Sequence, residues 1–253
     1  MRDPRSIVIT GASSGIGTAL AEAYAAPGIR LALTGRDCAR LATVATACRQ
    51  AGAEVEATSL DVTDASAMAA WLGEMDRHRA VDLVIANAGI SAGTAQGREP
   101  AAQTRAIFAV NLEGALNTVL PLMPALQARR RGQVALMSSL ASFRGFHGAP
   151  AYSASKAAVR VWGEALRGDL MGSGVEVSVI CPGYVESPMT EHNDFPMPLL
   201  MPAPRAAAII RRGLARGRSR IAFPWPVYAA AWLLGNLPPA LTDPLLARLP
   251  KKR

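Results

Sequence analysis

Tyr152 and Lys156 stand four residues apart in a helix-prone segment, 151–171, and on a helix that spacing puts both side chains on one face. A phenol beside an ammonium is a proton-transfer pair. Free tyrosine titrates near ~10, too high for a proton carrier at neutral pH, and a neighbouring ammonium is expected to favour the phenolate and lower that value. Ser139 precedes Tyr152 by thirteen residues, in the run Met137-Ser138-Ser139-Leu140-Ala141. Its hydroxyl can hydrogen-bond an oxygen on which negative charge develops. A Tyr-x-x-x-Lys spacing alone is a common surface coincidence, so these residues need elements that bring them to a ligand.

The first such element is a turn. Thr10-Gly11-Ala12-Ser13-Ser14-Gly15-Ile16-Gly17 follows the apolar run 7–10 and leads into the helix-like segment 18–26. Glycines let a strand-to-helix turn bend sharply and approach a ligand, and the helix start offers free N–H groups and a positive dipole end to a pyrophosphate. Further β-rich runs at 31–34, 54–59, 81–86, 133–137, 175–180 and 220–223 alternate with helix-like segments. The first six of the seven runs read as parallel strands covered on both faces, giving an α/β, doubly wound, Rossmann-type parallel sheet with helices on both faces. Asp37 is expected to cap one helix, and Thr63 or Asp64 the next. Ser139 then falls at the carboxyl end of the fifth strand, facing the ligand crevice, whereas Ser138 is expected to end that strand by local hydrogen bonding.

The glycine turn, Asn87-Ala88-Gly89 after the fourth strand, and Tyr152-x-x-x-Lys156 together resemble the short-chain dehydrogenase/reductase family over about residues 5–223. That resemblance implies an oxidoreductase that moves hydride between a nicotinamide ring and a carbonyl or secondary alcohol. It makes Tyr152 the general acid/base, Ser139 the group that orients the substrate oxygen, Lys156 a source of positive charge and a ribose ligand, and Asn111 a fourth member that positions water near the lysine. It places Gly11, Ser13, Ser14, Gly15, Ile16 and Gly17 at the phosphates, Asp61 and Val62 at the adenine, and Asn87, Ala88 and Gly89 along the cleft. Pro182, Gly183 and Val185 come to the nicotinamide end, and Ser187 to the phosphates. At the end of the second strand, Gly35 stands where NAD-preferring relatives carry aspartate, and Arg36 can pair with a 2′-phosphate. The expected cofactor is therefore NADP(H), with NAD(H) left open because Asp37 follows and Ser14 stands where some NADP binders carry a second basic residue. A redox-sensing regulator or scaffold without turnover is the alternative; the intact Ser139, Tyr152 and Lys156 argue against it.

With 253 residues, half of them apolar, the chain is expected to form one domain, 1–253, with a core at about 5–223, a substrate lid at 188–204 and an apolar, basic extension at 224–253. The apolar residues Phe195, Met197, Leu199, Leu200 and Met201 suggest a hydrophobic small-molecule substrate. The net charge of +8 comes without a nucleic-acid-binding module, so no nucleic-acid partner is expected. The N-terminal residues carry no signal-peptide pattern, which suggests a cytoplasmic protein, and Cys38, Cys48 and Cys181 read as reduced, buried thiols. His147 and His192 fall near the cleft without an assigned role. The resemblance also implies a homodimer or homotetramer through helices at about 100–128 and 151–172. The segment 225–237 is apolar on all sides yet shorter than the ~20 residues that span a bilayer. It is expected to pack on the domain, on a second subunit, or on a membrane surface helped by Lys251, Lys252 and Arg253.

Overall fold

The computed structural model describes residues 3–94, 98–191, 193 and 195–247; His192 and the basic run 251–253 lie outside them. Its seven strands are β1 (Ser6–Thr10), β2 (Arg30–Gly35), β3 (Glu54–Ser59), β4 (Leu83–Ala86), β5 (Gly132–Met137), β6 (Val175–Pro182) and β7 (Arg220–Phe223). They form one parallel sheet of order β3-β2-β1-β4-β5-β6-β7. The order reverses between β1 and β4, and the crevice at the carboxyl ends of these strands is where such a sheet takes a ligand.

Side chains alternate across the sheet with the strand period. Ile7, Ile9, Leu31 and Leu33 point to one face, where they pack with Leu20 of α1 (Gly15–Tyr24), Leu41 and Val44 of α2 (Cys38–Gln50) and Ile210 and Leu214 of a later helix. Val8, Ala32 and Val84 point to the other face, against Met68, Trp71 and Leu72 of α3 (Ala65–His78). That second layer also holds a long irregular helix. It runs as α4 (Ala101–Phe108), a π turn (Ala109–Glu113), α5 (Gly114–Val119), a 3-10 turn (Leu120–Leu122) and α6 (Met123–Ala128). Pro121 and Pro124, which lack the N–H an α-helix needs, mark the 3-10 interruption. Residues 101–128 are long and apolar enough to cross a membrane, but half of their most apolar window is buried, and Ile107, Val119 and Leu126 are core. The 20-residue α7 (Pro150–Asp169) completes the layer.

Asp37 and Asp64 each accept a backbone N–H three residues on, at 3.0 Å, and so cap α2 and α3. Two expectations need correction. β3 is not fully covered: it is one of the sheet's two edge strands, no described strand pairs with its outer side, and Glu54, Ala57 and Ser59 are exposed. Cys38 is exposed at the first turn of α2, whereas Cys48 and Cys181 are buried.

After α8 (Pro188–Glu191) and α9 (Ala203–Ala215), the described residues close with α10 (Trp225–Asn236) and α11 (Pro239–Leu246). The inner side of α10 packs on the domain: Ala231 is buried with Leu140, Val179 and Cys181. Tyr228 meets Phe143 edge to face at 5.4 Å, and a Cβ added at Gly235 would lie 2.1 Å from the Phe143 carbonyl oxygen. Its outer side leaves Trp225, Trp232 and Leu233 exposed.

Candidate active site

The glycine-turn end of the site is built largely on main chain. At the carboxyl end of β1 the turn passes through Gly15 with φ +53°, and the helix that follows starts so close to the turn that a Cβ at Gly17 would sit 2.1 Å from the Gly11 carbonyl oxygen. Ser14, the N-cap of α1, makes no side-chain cap bond, which leaves the first helical N–H groups for a ligand. The Asn87 amide donates to the carbonyls of Thr10 (3.0 Å) and Gly11 (3.1 Å), while the Thr10 hydroxyl accepts from the backbone N–H groups of Asn87 (3.1 Å) and Ala88 (3.3 Å). These bonds tie the ends of β1 and β4 together and hold the turn open. Ser187 covers the turn from the other side, its Cβ 2.8 Å from where a Gly15 Cβ would be. The result is a cavity of about 590 Å³.

Ser13, Ser14, Gly15, Ile16, Arg36, Asp61, Val62, Asn87, Ala88, Gly89, Pro182, Gly183, Val185 and Ser187 all line this cavity, as do Gly11, Ser139, Tyr152 and Lys156. Gly17 and Asn111 do not. Gly17 backs the turn, and Asn111 lies buried behind Gly89 in the π turn. At the far cofactor end, a Cβ at Gly35 would meet the Ser13 hydroxyl oxygen at 2.8 Å, so an acidic side chain there would crowd the turn. The Asp37 carboxylate caps α2 and pairs with Arg40 at 3.2 Å. Arg40, which sequence reasoning missed, lines the cavity with Arg36; the signal was its spacing of four from Arg36 on the first turn of α2. Asp61 accepts from the Thr63 N–H (2.9 Å) and hydroxyl (2.8 Å), which together with the nearby Arg36 charge hold its carboxyl below the usual range.

The reacting end is organised by α7. Its N-cap, Ala149, has no side chain to cap with, and the free N–H of Ala151 is taken at 3.0 Å by the carboxylate of Glu99, 52 residues away. The Ser138 hydroxyl donates to the Lys156 carbonyl at 2.8 Å, so its role is to fix α7 on β5 and not to end the strand locally. Lys156 Nζ donates to the Met137 carbonyl at 2.9 Å and lies 5.9 Å from the centroid of the Tyr152 ring. The Asn111 amide donates to the Ile90 carbonyl and the Ser155 hydroxyl, both at 3.0 Å, and its oxygen accepts from the Ile90 N–H at 2.7 Å. A Cβ at Gly89 would lie 3.1 Å from Lys156 Nζ and 3.2 Å from Asn111 Oδ1, so only a glycine leaves that approach clear.

The expectation that the lysine lowers the tyrosine is overturned. Burial pushes the Tyr152 phenol up, the Ser139 hydroxyl opposes that shift, and the Tyr184 phenol reinforces it. The same burial pushes Lys156 down to about 8. Both shifts have one leading cause, the loss of water around groups whose charged forms need it.

Beyond Tyr152 the wall is side chain. Tyr184 and Phe195 meet edge to face at 6.0 Å, joined by Phe146, His147, Met189 and Pro196. Of the five apolar residues expected to form a lid, only Phe195 lines the cavity; Leu199 and Leu200 face solvent, and Met201 is buried in a bridge to Val185. Val227 of α10 and Leu246 of α11 also reach the cavity, a contribution from the extension that no local pattern announced.

The family model described as short chain dehydrogenase matches residues 5–195. This chain belongs to the short-chain dehydrogenase family. An uncharacterized oxidoreductase of Myxococcus xanthus is 39% identical over 246 residues, covering 97% of each chain. A short-chain dehydrogenase/reductase from Burkholderia phymatum, solved with NAD, superimposes with a TM-score of 0.85 at 26% identity, covering 100% of this chain and 98% of that one. A short-chain dehydrogenase from Sphingobium yanoikuyae, solved with NADPH, superimposes with a TM-score of 0.81 at 24% identity over 98% and 97% of the two chains, a likeness of fold. As a short-chain dehydrogenase, the protein is an oxidoreductase with a nicotinamide-cofactor fold, and the glycine turn, the uncapped start of α1 and the cleared space at Gly89 fit such a group.

Proposed function

We infer that this short-chain dehydrogenase interconverts a carbonyl and a secondary alcohol on a hydrophobic small molecule, with NADP(H) as its cofactor. The observation that carries the reading is the convergence of Ser139, Tyr152 and Lys156 on one cavity whose other end is the glycine turn. A bound nicotinamide supplies or accepts the hydride. The protein's own part is the proton. Burial keeps the Tyr152 phenol protonated at neutral pH, as a donor to a carbonyl oxygen must be, and the Ser139 hydroxyl orients that oxygen and stabilises the charge building on it. Lys156 provides the positive charge that steadies the phenolate left behind. The alternation of tyrosine and phenylalanine rings with methionine and proline beyond Tyr152 favours an apolar substrate.

The NADP(H) preference rests on Arg36 and Arg40 lining the far end, on the glycine at position 35 where an acid would repel a 2′-phosphate, and on the pairing of Asp37 with Arg40. The test is calorimetric titration with NADPH and NADH side by side on the wild type and Arg36→Ala. We expect the variant to lose about 10–100-fold in NADPH affinity, the value of one or two charge-assisted bonds, with NADH within about threefold. Equal affinity for both cofactors in the wild type would overturn the preference, and binding of neither would remove the enzymatic reading. The long helices 101–128 and 150–169 are the proposed faces of a homo-oligomer, and sedimentation as a monomer at micromolar concentration would refute it.

A further inference from the structure

The C-terminal helices take no part in the cofactor turn or the proton chemistry, yet they reach into the cavity. Leu246 is 1% exposed although it closes a surface helix whose Leu241 is 68% exposed. Its side chain is turned inward, and it also lines a second, open groove whose wall mixes Phe108, Phe143 and Pro150 with the charged Arg98, Glu99 and Asp243. Ala141, Phe146, His147, Ser153 and Leu246 line both spaces. The first four come from the segment that also carries Tyr152 and follows Ser139. Among the described residues that line both spaces, Leu246 alone comes from the other end of the chain.

What keeps it there is a latch to that same segment. Arg144 Nη2 donates to the Thr242 hydroxyl at 3.0 Å and pairs with the Asp243 carboxylate. Thr242 is itself 1% exposed, and α10 before it is fixed by the Tyr228–Phe143 contact and by the Arg220 guanidinium donating to the Tyr228 hydroxyl at 3.2 Å. The loop that positions Ser139 therefore also positions the inner end of α11.

We propose that Leu246, held by the Arg144 latch, is a specificity-determining residue: it partitions the catalytic cavity from the outer groove and sets how long an apolar chain the substrate carries beyond its reacting carbon. The inference rests on the carbonyl and alcohol reading above and names its substrate class, unbranched alkyl ketones and the matching secondary alcohols. A chain lengthening inside an apolar cavity gains affinity with each methylene it buries, about fourfold per step, until it meets a wall.

The full-length protein, saturated with the oxidised nicotinamide it binds, cannot reduce a ketone, so binding can be measured without turnover. Methyl ketones lengthened one methylene at a time are titrated calorimetrically into the wild type, Leu246→Ala, Leu246→Phe and Asp243→Asn. The wild type should show the fourfold climb and then a break. Leu246→Ala should carry the climb about two methylenes further, because the removed side chain leaves that much space, and Leu246→Phe should bring the break to a shorter chain. Asp243→Asn, which keeps Leu246 but loosens the latch, should flatten the break, and it and Leu246→Phe still report if the alanine variant does not fold. A break at one length in every protein overturns the partition while leaving the carbonyl reading intact. Cofactor binding without affinity for any ketone in the wild type overturns both.

Discussion

At its glycine-turn end the cavity of this short-chain dehydrogenase is shaped by backbone, the turn through Gly11 and Gly15 backed by Gly17 and pinned by the amide of Asn87, with Arg36 and Arg40 as side chains at its outer limit. At its substrate end the wall is side chain, drawn from the loop at 141–153, the segment at 184–198 and the C-terminal helices. The difference sets what each end can tolerate. A backbone wall admits no side chain where glycine stands, whereas Phe195 or Leu246 can be exchanged for another apolar group at the cost of a changed cavity and not of a lost fold. Such a protein keeps one cofactor site while its substrate site is free to vary.

Tyr152 sits where the two walls meet, and its removal should give the largest effect. Tyr152→Phe keeps the ring and its contacts but deletes the proton donor, so kcat should fall by about 10²–10⁴-fold in ketone reduction, with cofactor affinity within about twofold. Steady-state kinetics with calorimetry alongside would check this. A comparable loss of cofactor affinity would mean that the two ends are not separable.

A smaller effect is expected in the backbone wall itself. Gly17→Ala must push apart the turn and α1, because the new methyl would lie 2.1 Å from a carbonyl oxygen. At about 1–3 kcal/mol for such crowding, cofactor affinity should drop by about 10–100-fold. Gly73→Ala is the control: its Cβ enters open space on α3, so it should leave cofactor binding unchanged and stabilise the fold by about 1 kcal/mol in urea unfolding. Equal behaviour of the two variants would show that the turn yields, and that the cofactor end is no more rigid than the substrate end.

The same contrast explains which features could be read before the fold was known. The backbone turn and the reacting groups both leave local marks: glycines after an apolar run for the first, and for the second a Tyr and Lys one helical turn apart with a serine at a strand end. These placed Ser139, Tyr152, Lys156 and the turn in one cavity. The side-chain wall leaves none, because Leu246 and Val227 reach the cavity through packing with residues about a hundred positions away, and Glu99 caps α7 across 52 residues. Edge position hid the exposure of β3, since a strand's apolar pattern does not say which neighbour it lacks. The direction of the Tyr152 shift was misjudged for a related reason: spacing brought the ammonium close, but only the three-dimensional burial decides whether desolvation or charge wins.

Lys156 offers the finest test, because it donates to the main chain at Met137 while serving the side-chain end. Its ammonium is pushed down to about 8 by burial, while in the unfolded chain a lysine titrates near ~10.4. Between those values the unfolded chain binds the extra proton, so this group's contribution to stability rises with pH across that window. Below about pH 8 both states are charged and the buried ammonium exerts its full cost; above ~10.4 both are neutral and the cost is gone. Lys156→Met removes the group, so the stability of the wild type relative to the variant, measured by urea unfolding, should climb from about pH 8 and level off near ~10.4. The bond to Met137, which neutral lysine can still donate, limits how far the variant gains at low pH. Ketone reduction by the wild type should fall through the same lower limit, as the charge that steadies the Tyr152 phenolate is lost. A flat stability difference combined with that fall in rate would mean that the lysine titrates only when substrate fills the side-chain end, and that the two walls are coupled through it.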